Sequence, residues 1–402
     1  MIPVAEIGAE RTQLGALGEK VWRGAAAVGA AGIVASVALA ALTPDGWRRF
    51  LFAYLLNFAF FLSLALGALY FVLLHHLTRS GWSVVVRRVP EMLSATLPVL
   101  LVLFVPLAIG VRELYPWARP AVVANDKLLQ LKAAYLNVPF FLGRCVVYFA
   151  VWCGLARYFT RRSVAQDSSG DAALTLQMQS RSAPAMVAFA LTLTFAAIDL
   201  LMSLDPHWYS TIFGVYYYAG AVVGIYALLP LLMYGMQSAG LLRRAVTVEH
   251  YHDMGKLLFG FIVFWAYIGF SQYMLIWYAN IPEETRWLLR RQTNGWGTVG
   301  LILVIGHFVV PFVALLSRGT KRRPAALAAV AAWCLAMHWV DLYWIVMPAA
   351  SPASPAPHVV DFALLAGLGG AWLATAAYLA RQRALVPQRD PRLAESLAFE
   401  NA

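Results

Sequence analysis

Phe195-Ala-Ala-Ile-Asp199-Leu-Leu-Met-Ser-Leu-Asp205-Pro206-His207-Trp208-Tyr209-Ser-Thr-Ile-Phe213-Gly214-Val-Tyr216-Tyr217-Tyr218-Ala-Gly220 is an apolar run with an aspartate inside it, a break at Asp-Pro-His, and a second apolar run. Two such runs, each near the ~20 residues that cross a bilayer core, read as a pair of membrane helices joined by a tight outer turn. An ionisable group inside such a run is costly, by about 3 kcal/mol or more, so Asp199 needs a partner or a task.

Outward from this pair the pattern repeats. Of 402 residues, 61% are hydrophobic and only 13% charged, with mean hydropathy +0.67. These values exclude a soluble domain and fit an all-α polytopic membrane protein. Ten apolar stretches are long enough to span, at approximately residues 21–42, 50–77, 92–111, 134–159, 184–204, 212–237, 257–279, 296–317, 324–347 and 359–380. They make one integral membrane domain over 1–402, with an amphipathic N-terminus at 1–20 that lacks a signal-peptide pattern and a polar tail at 382–402. Pro90 and Glu91 fit the first turn of the third helix. The polar segment 160–183 reads as a flexible loop, and the tail as an arm on a neighbour or an unstructured end.

The net charge of +11 does not signal a nucleic-acid partner, because the basic residues sit between apolar runs, as in Arg87-Arg88, Arg161-Arg162 and Lys321-Arg322-Arg323. They are topology signals. With about two-thirds of them on one side, both termini of a multi-pass protein are expected in the cytoplasm. Cys145, Cys153 and Cys334 lie inside apolar runs without metal-ligand spacing, so they read as small buried hydrophobes. No metal site is expected.

That orientation brings a polar set toward the outer face: Asp199, Asp205 and His207; Arg144 and Tyr148; Gln272 and Tyr273; His338 and Asp341; with His307 near mid-depth. These are the candidates for proton transfer or a quinone site. Asp199 reads either as an ion pair with Arg144 or as a proton acceptor. Asp205, before a proline, reads first as a turn or cap residue, and His207, Trp208 and Tyr209 as an aromatic belt. His338 and Asp341, three residues apart, share a helical face, where a carboxylate beside an imidazole would fix its tautomer and raise its basicity. His307 and His338 could in principle hold a haem, but no helix carries the paired histidines of stacked haems, and none is expected. On the inner side His75, His76, Glu91, His252, Asp253 and Lys256 are candidates for the mouth of an inner proton half-channel, or solvated interface residues. Thr192, Thr194, Tyr226 and Tyr234 lie between the two sets.

Three stretches resemble a known family. Asp199 to Phe213, His252-Asp-Met-Gly-Lys256-Leu-Leu-Phe-Gly-Phe261, and Phe264-Trp-Ala-Tyr-Ile-Gly-Phe-Ser271-Gln272-Tyr273-Met-Leu-Ile-Trp-Tyr-Ala-Asn280-Ile-Pro-Glu283-Glu284-Thr285 are similar to the F subunit of bacterial alternative complex III. That is a quinol:electron acceptor oxidoreductase whose F subunit is itself similar to polysulfide reductase (NrfD-like) membrane subunits. The resemblance covers nearly the whole chain. It implies two four-helix bundles, from helices 2–5 and 6–9, with helices 1 and 10 peripheral. It also implies no metal or haem in this subunit, with menaquinol as the bound cofactor where any binds. The implied partners are a paralogous ten-helix subunit, an iron–sulfur protein, haem c subunits, small membrane subunits, lipids and a terminal oxidase. The implied role is a subunit without redox centres in a respiratory quinol-oxidising complex, conducting protons or binding quinone near the outer face. A proton-coupled secondary transporter, of which a single Asp-Pro break is a poor sign, and a purely structural scaffold subunit are the alternatives.

Overall fold

A computed structural model describes residues 10–401; residues 1–9 of the expected N-terminal segment lie outside it. Ten helices are long and apolar enough to cross a membrane: α1 Ala16–Leu42, α2 Gly46–Leu77, α3 Val84–Ile109, α4 Val138–Ser169, α5 Ala172–Leu204, α6 Phe213–Ser238, α7 Val248–Ala279, α8 Trp296–Leu316, α9 Pro324–Ala349 and α10 Val359–Ala380. The protein is an all-α polytopic membrane protein. An even number of spans puts both ends of the described chain on one face, where Gly15 N donates to Arg381 O.

The helix that is apolar all round lies at the centre. Helix α2 is buried along nearly its whole length, as expected of a span with no polar stripe to offer. Around it pack α3, α5, α6 and α10. Helices α2–α5 form one four-helix bundle and α6–α9 a second, meeting along α2 and α6. Helix α1 pairs with α10. Their seam is glycine on glycine: a Cβ on Gly32 would lie 2.5 Å from Gly367 N, and one on Gly370 would strike the backbone of Gly29. Small residues permit this approach because packing, not hydrophobic burial, holds helices together in lipid. Gly32→Val is therefore expected to cost about 1–3 kcal/mol through overpacking, measured by thermal unfolding in detergent. Gly24→Val, where a Cβ meets nothing within 4 Å, should leave the transition within experimental error.

Several boundaries differ from the sequence reading. Residues 160–183 are not a loop. Helices α4 and α5 run on past the hydrocarbon and meet at Gly170, whose φ of 67° suits glycine, followed by Asp171, which caps α5 by accepting from Ala173 N at 2.8 Å. The polar composition reflects solvated helix. Likewise α3 begins at Val84, so Pro90 is inside the helix and not in its first turn. Charged residues in that added length are paired: Arg88 bonds Asp167 at 2.7 and 3.0 Å, and Glu91 lies 3.3 Å from Arg87 and 3.0 Å from Arg88.

The tail is neither a free arm nor unstructured. Asp390 pairs with Arg87 at 2.5 Å, Ser396 Oγ donates to Trp82 O at 2.7 Å, and Asn401 Nδ2 donates to Glu249 O at 3.2 Å. The tail thus straps the start of α3, in the first bundle, to the start of α7, in the second.

Candidate functional site

The second bundle carries a carboxylate that forms no ion pair among the described residues. Asp341, on α9 about two turns from the face opposite the termini, is 2% exposed. Tyr216 Oη, from the first turn of α6, donates to its Oδ1 at 2.5 Å, and Trp265 Nε1, from α7, donates to its Oδ2 at 3.1 Å. A buried tyrosine hydroxyl and indole N–H need acceptors, and one carboxylate serves both. Gly220, one turn along α6 from Tyr216, leaves room for the α9 side chains: a Cβ there would lie 2.9 Å from His338 Cε1 and 3.8 Å from Asp341 Oδ2.

His338 and Asp341 share a face but do not form the expected imidazole–carboxylate pair. His338 Nε2 shares a hydrogen bond of 2.8 Å with Ser63 Oγ of α2, and its Nδ1 has no protein partner. A separation of three residues places the two groups at different depths, about 4.5 Å apart along the axis, and each is taken by a nearer group on another helix. His307 stacks on Trp265 with ring centroids 4.1 Å apart and lies 6.4 Å from His338. Neither of its ring nitrogens has a protein partner. It sits where α8 winds as a π-helix, Leu303–Val309, a local widening often found at functional sites.

Tyr216 and Trp265 also wall a cavity of about 710 Å³ between α7 and α8. Its sides are apolar, from residues such as Val263, Leu303 and Phe308, and its rim residues Tyr267, Phe270 and Val304 are exposed on the apolar flank. Toward the membrane surface it is lined by Gln272, Tyr273, Arg291 and Gln292. Gln272 Oε1 accepts from Ser210 Oγ at 3.1 Å, and Gln292 Nε2 donates to Tyr273 Oη at 3.4 Å. Arg291 is held without a carboxylate partner: its guanidinium lies 3.6 Å over the Trp287 ring and donates to the carbonyls of Trp287, Trp344 and Ile345. Burial pulls it down to about 9, opposed by the charge of Asp205, so at neutral pH it remains a cation.

The other expected outer residues do not join this group. Asp199 belongs to the first bundle, where Arg144 donates to both of its oxygens at 2.8 and 2.9 Å and Tyr148 donates at 2.6 Å. Asp205 opens the outer turn as expected, its carbonyl accepting from Trp208 N at 3.1 Å, while its side chain forms a 2.7 Å ion pair with Arg290. His207 bonds Asp126 at 2.6 Å; the carboxyl of Asp126 is held below the ordinary range first by the Leu129 N–H and further by His207. Of the expected aromatic belt, Tyr209 is exposed, but Trp208 is buried and stacks on Trp287 at 4.1 Å. No hydrogen bond or ion pair among the described residues links these pairs to Asp341, so the single outer cluster expected from depth resolves into four separate groups.

On the face of the termini, His75 Nε2 lies 3.3 Å from Tyr226 Oη, while His76 packs on Phe159. Glu91 is buried with Arg87 and Arg88. Asp253 pairs with Lys256 near His252. Thr192 is occupied by Trp152 Nε1 and bonds back to its own helix. Between Ser63 and Tyr70 helix α2 carries only apolar residues, 64–69, a gap of about 10 Å. The inner and outer sets are therefore not joined by a line of side-chain hydrogen bonds along this helix.

Tyr216, Trp265, Arg291 and Ser63 were not among the expected site residues. Tyrosines and tryptophans in apolar runs pass for lipid-facing belts, and Arg291, next to Arg290, for a topology charge. The usable signal was Trp265 and Tyr216 themselves, amphipathic rings at depths where only a buried acceptor can satisfy them. No model of a known protein family matches the chain, and no curated protein does.

Proposed function

We propose that this chain is a membrane subunit of a respiratory quinol:electron acceptor oxidoreductase of the alternative complex III kind, and that its second bundle binds a quinone in the α7/α8 groove and exchanges its proton with Asp341 through Tyr216. The observation that carries the reading is the double duty of Tyr216 and Trp265, which wall a groove open to the hydrocarbon and also hold the buried carboxylate behind it. A prenylated quinone fits such a place in chemical terms. Its tail suits the apolar rim, and its ring oxygens can meet Gln272, Tyr273 and Gln292 at the polar end.

The role of the residues follows from their order. Tyr216 Oη can accept a proton from the groove while giving its own to Asp341, and so returns unchanged in composition; a positioned pair of this kind contributes about 10²–10⁴-fold to a proton-transfer step. Electrons would leave to iron–sulfur and haem c groups on partner subunits, as the family resemblance implies. The apolar stretch of α2 between Ser63 and Tyr70 favours release of the proton on the face near Asp341 over transport across the membrane.

Purification from the native membrane through a tag on this chain tests the assembly. Recovery of haem c and iron–sulfur subunits with quinol:acceptor activity is expected; a colourless chain recovered alone and inactive would refute membership. In the recovered complex Gly300→Phe, which places a ring into the groove, should weaken binding of a short-chain menaquinone analogue by about five-fold or more, by analogy with overpacked cores at about 1–3 kcal/mol. Unchanged affinity would remove the groove from the reading.

A further inference from the structure

On the face of the termini, α7, the α8–α9 turn and the start of α9 bring together Lys256, Arg318, Lys321, Arg322 and Arg323. Only two carboxylates of these elements face them: Glu249, bonded by Arg322 at 2.8 and 2.5 Å, and Asp253, paired with Lys256. Lys256 also donates to Asn401 Oδ1 at 2.6 Å. Arg318 is exposed, and its side chain has no hydrogen-bond or ion-pair partner among the described residues. The charges of Lys256, Lys321, Arg318 and Arg322 all act on His252, a residue that is 8% exposed and whose Nδ1 has no protein partner.

Lys321 is seated with some care. Its stem crosses α7 at Gly255, where a Cβ would lie 2.9 Å from Lys321 Cγ. Its Nζ lies 5.4 Å over the Phe259 ring and donates to Leu315 O at 2.8 Å. Burial, and then the charge of Lys256, hold its ammonium below the ordinary lysine range. Topology alone does not require such crowding, since scattered charges like Arg161 and Arg162 serve the positive-inside bias equally. Directly beneath the cations, toward the hydrocarbon, Phe259 and Phe312 stack at 5.2 Å, and Val313 and Leu316 are exposed.

We infer that this crease is a specific site for an acidic phospholipid, its phosphate held by Arg318, Lys321 and the His252 ring and its acyl chains lying on Phe312, Val313 and Leu316. Arg318 and Lys321, cations without a carboxylate partner above an exposed apolar strip, match a phosphodiester attached to hydrocarbon. The inference rests on the membrane-spanning fold alone and is independent of the quinone reading.

Native mass spectrometry of the purified full chain tests it, with phosphatidylglycerol or phosphatidylcholine added in turn. The wild type should retain phosphatidylglycerol and release phosphatidylcholine. Arg318→Gln/Lys321→Gln should weaken retention about thirty-fold, whereas Arg161→Gln/Arg162→Gln, which removes the same charge elsewhere on that face, should change it less than about two-fold. If the first variant does not fold, Arg318→Gln, at an exposed position, carries the comparison. Equal loss in both double variants would mean diffuse attraction, equal retention of phosphatidylcholine would mean no headgroup recognition, and displacement by millimolar inorganic phosphate would mean a free-anion site; each would overturn the proposal.

Discussion

On the quinol-oxidising role proposed for this chain, the Asp341→Asn variant is expected to lower quinol:acceptor turnover of the assembled complex by about a hundred-fold or more, with the complex still recovered intact. Asparagine keeps the shape of the side chain, and its Oδ1 can still accept from Tyr216 or Trp265, which now bond the two carboxylate oxygens. It cannot take up a proton. One buried donor loses its acceptor, at a cost of about 1–3 kcal/mol, which a ten-helix protein held by the contacts of α2 and α6 should tolerate. Tyr216→Phe removes the hydroxyl between groove and carboxylate and should reproduce most of the loss. Turnover per assembled complex is the deciding quantity. Wild-type turnover in Asp341→Asn would end the proton role of this residue, and a loss of complex at constant specific activity would favour a scaffold subunit. Asp199→Asn serves as the contrast, because its effect should fall on stability.

The fold was largely legible because membrane helices announce themselves by length and apolarity, and all ten spans lie where the apolar stretches put them. What the sequence hid were the parts where helix continues without hydrocarbon. Around Asp167 to Asp171, and from Val84 to Glu91, polar residues stay helical because ion pairs with Arg88 and a cap at Asp171 replace burial. The tail was opaque for a similar reason: Asp390 and Ser396 read as solvated until Arg87 and Trp82 are seen to meet them. At the candidate site, depth along a helix gave the ionisable residues but not their neighbours. Asp199 and Asp341 count to the outer half of the membrane and Asp205 to just outside it, yet packing sends them to Arg144, Tyr216 and Arg290 respectively. Rotation is set by packing against other helices, which no single stretch records.

Asp199 and Arg144 should behave as a lock between α4 and α5. Asp199 is fully buried and Arg144 nearly so, and with Tyr148 they satisfy both carboxylate oxygens; the guanidinium also lies 3.8 Å over the Tyr135 ring. Arg144→Met would leave a carboxylate with only a tyrosine for company, and Asp199→Leu would leave an unpaired guanidinium, so each single change is expected to cost about 3–5 kcal/mol. The double variant removes both charges at once and should cost clearly less than the sum, since the desolvation penalty disappears with the attraction that opposed it. Unfolding in mixed detergent, followed by tryptophan fluorescence, gives the three differences from wild type. Additive costs would show that the two groups are solvated independently, and the lock would then be an incidental contact. A large coupling with unchanged turnover in the double variant would instead confine Asp199 to architecture and leave Asp341 as the carboxylate of the second bundle free to exchange a proton.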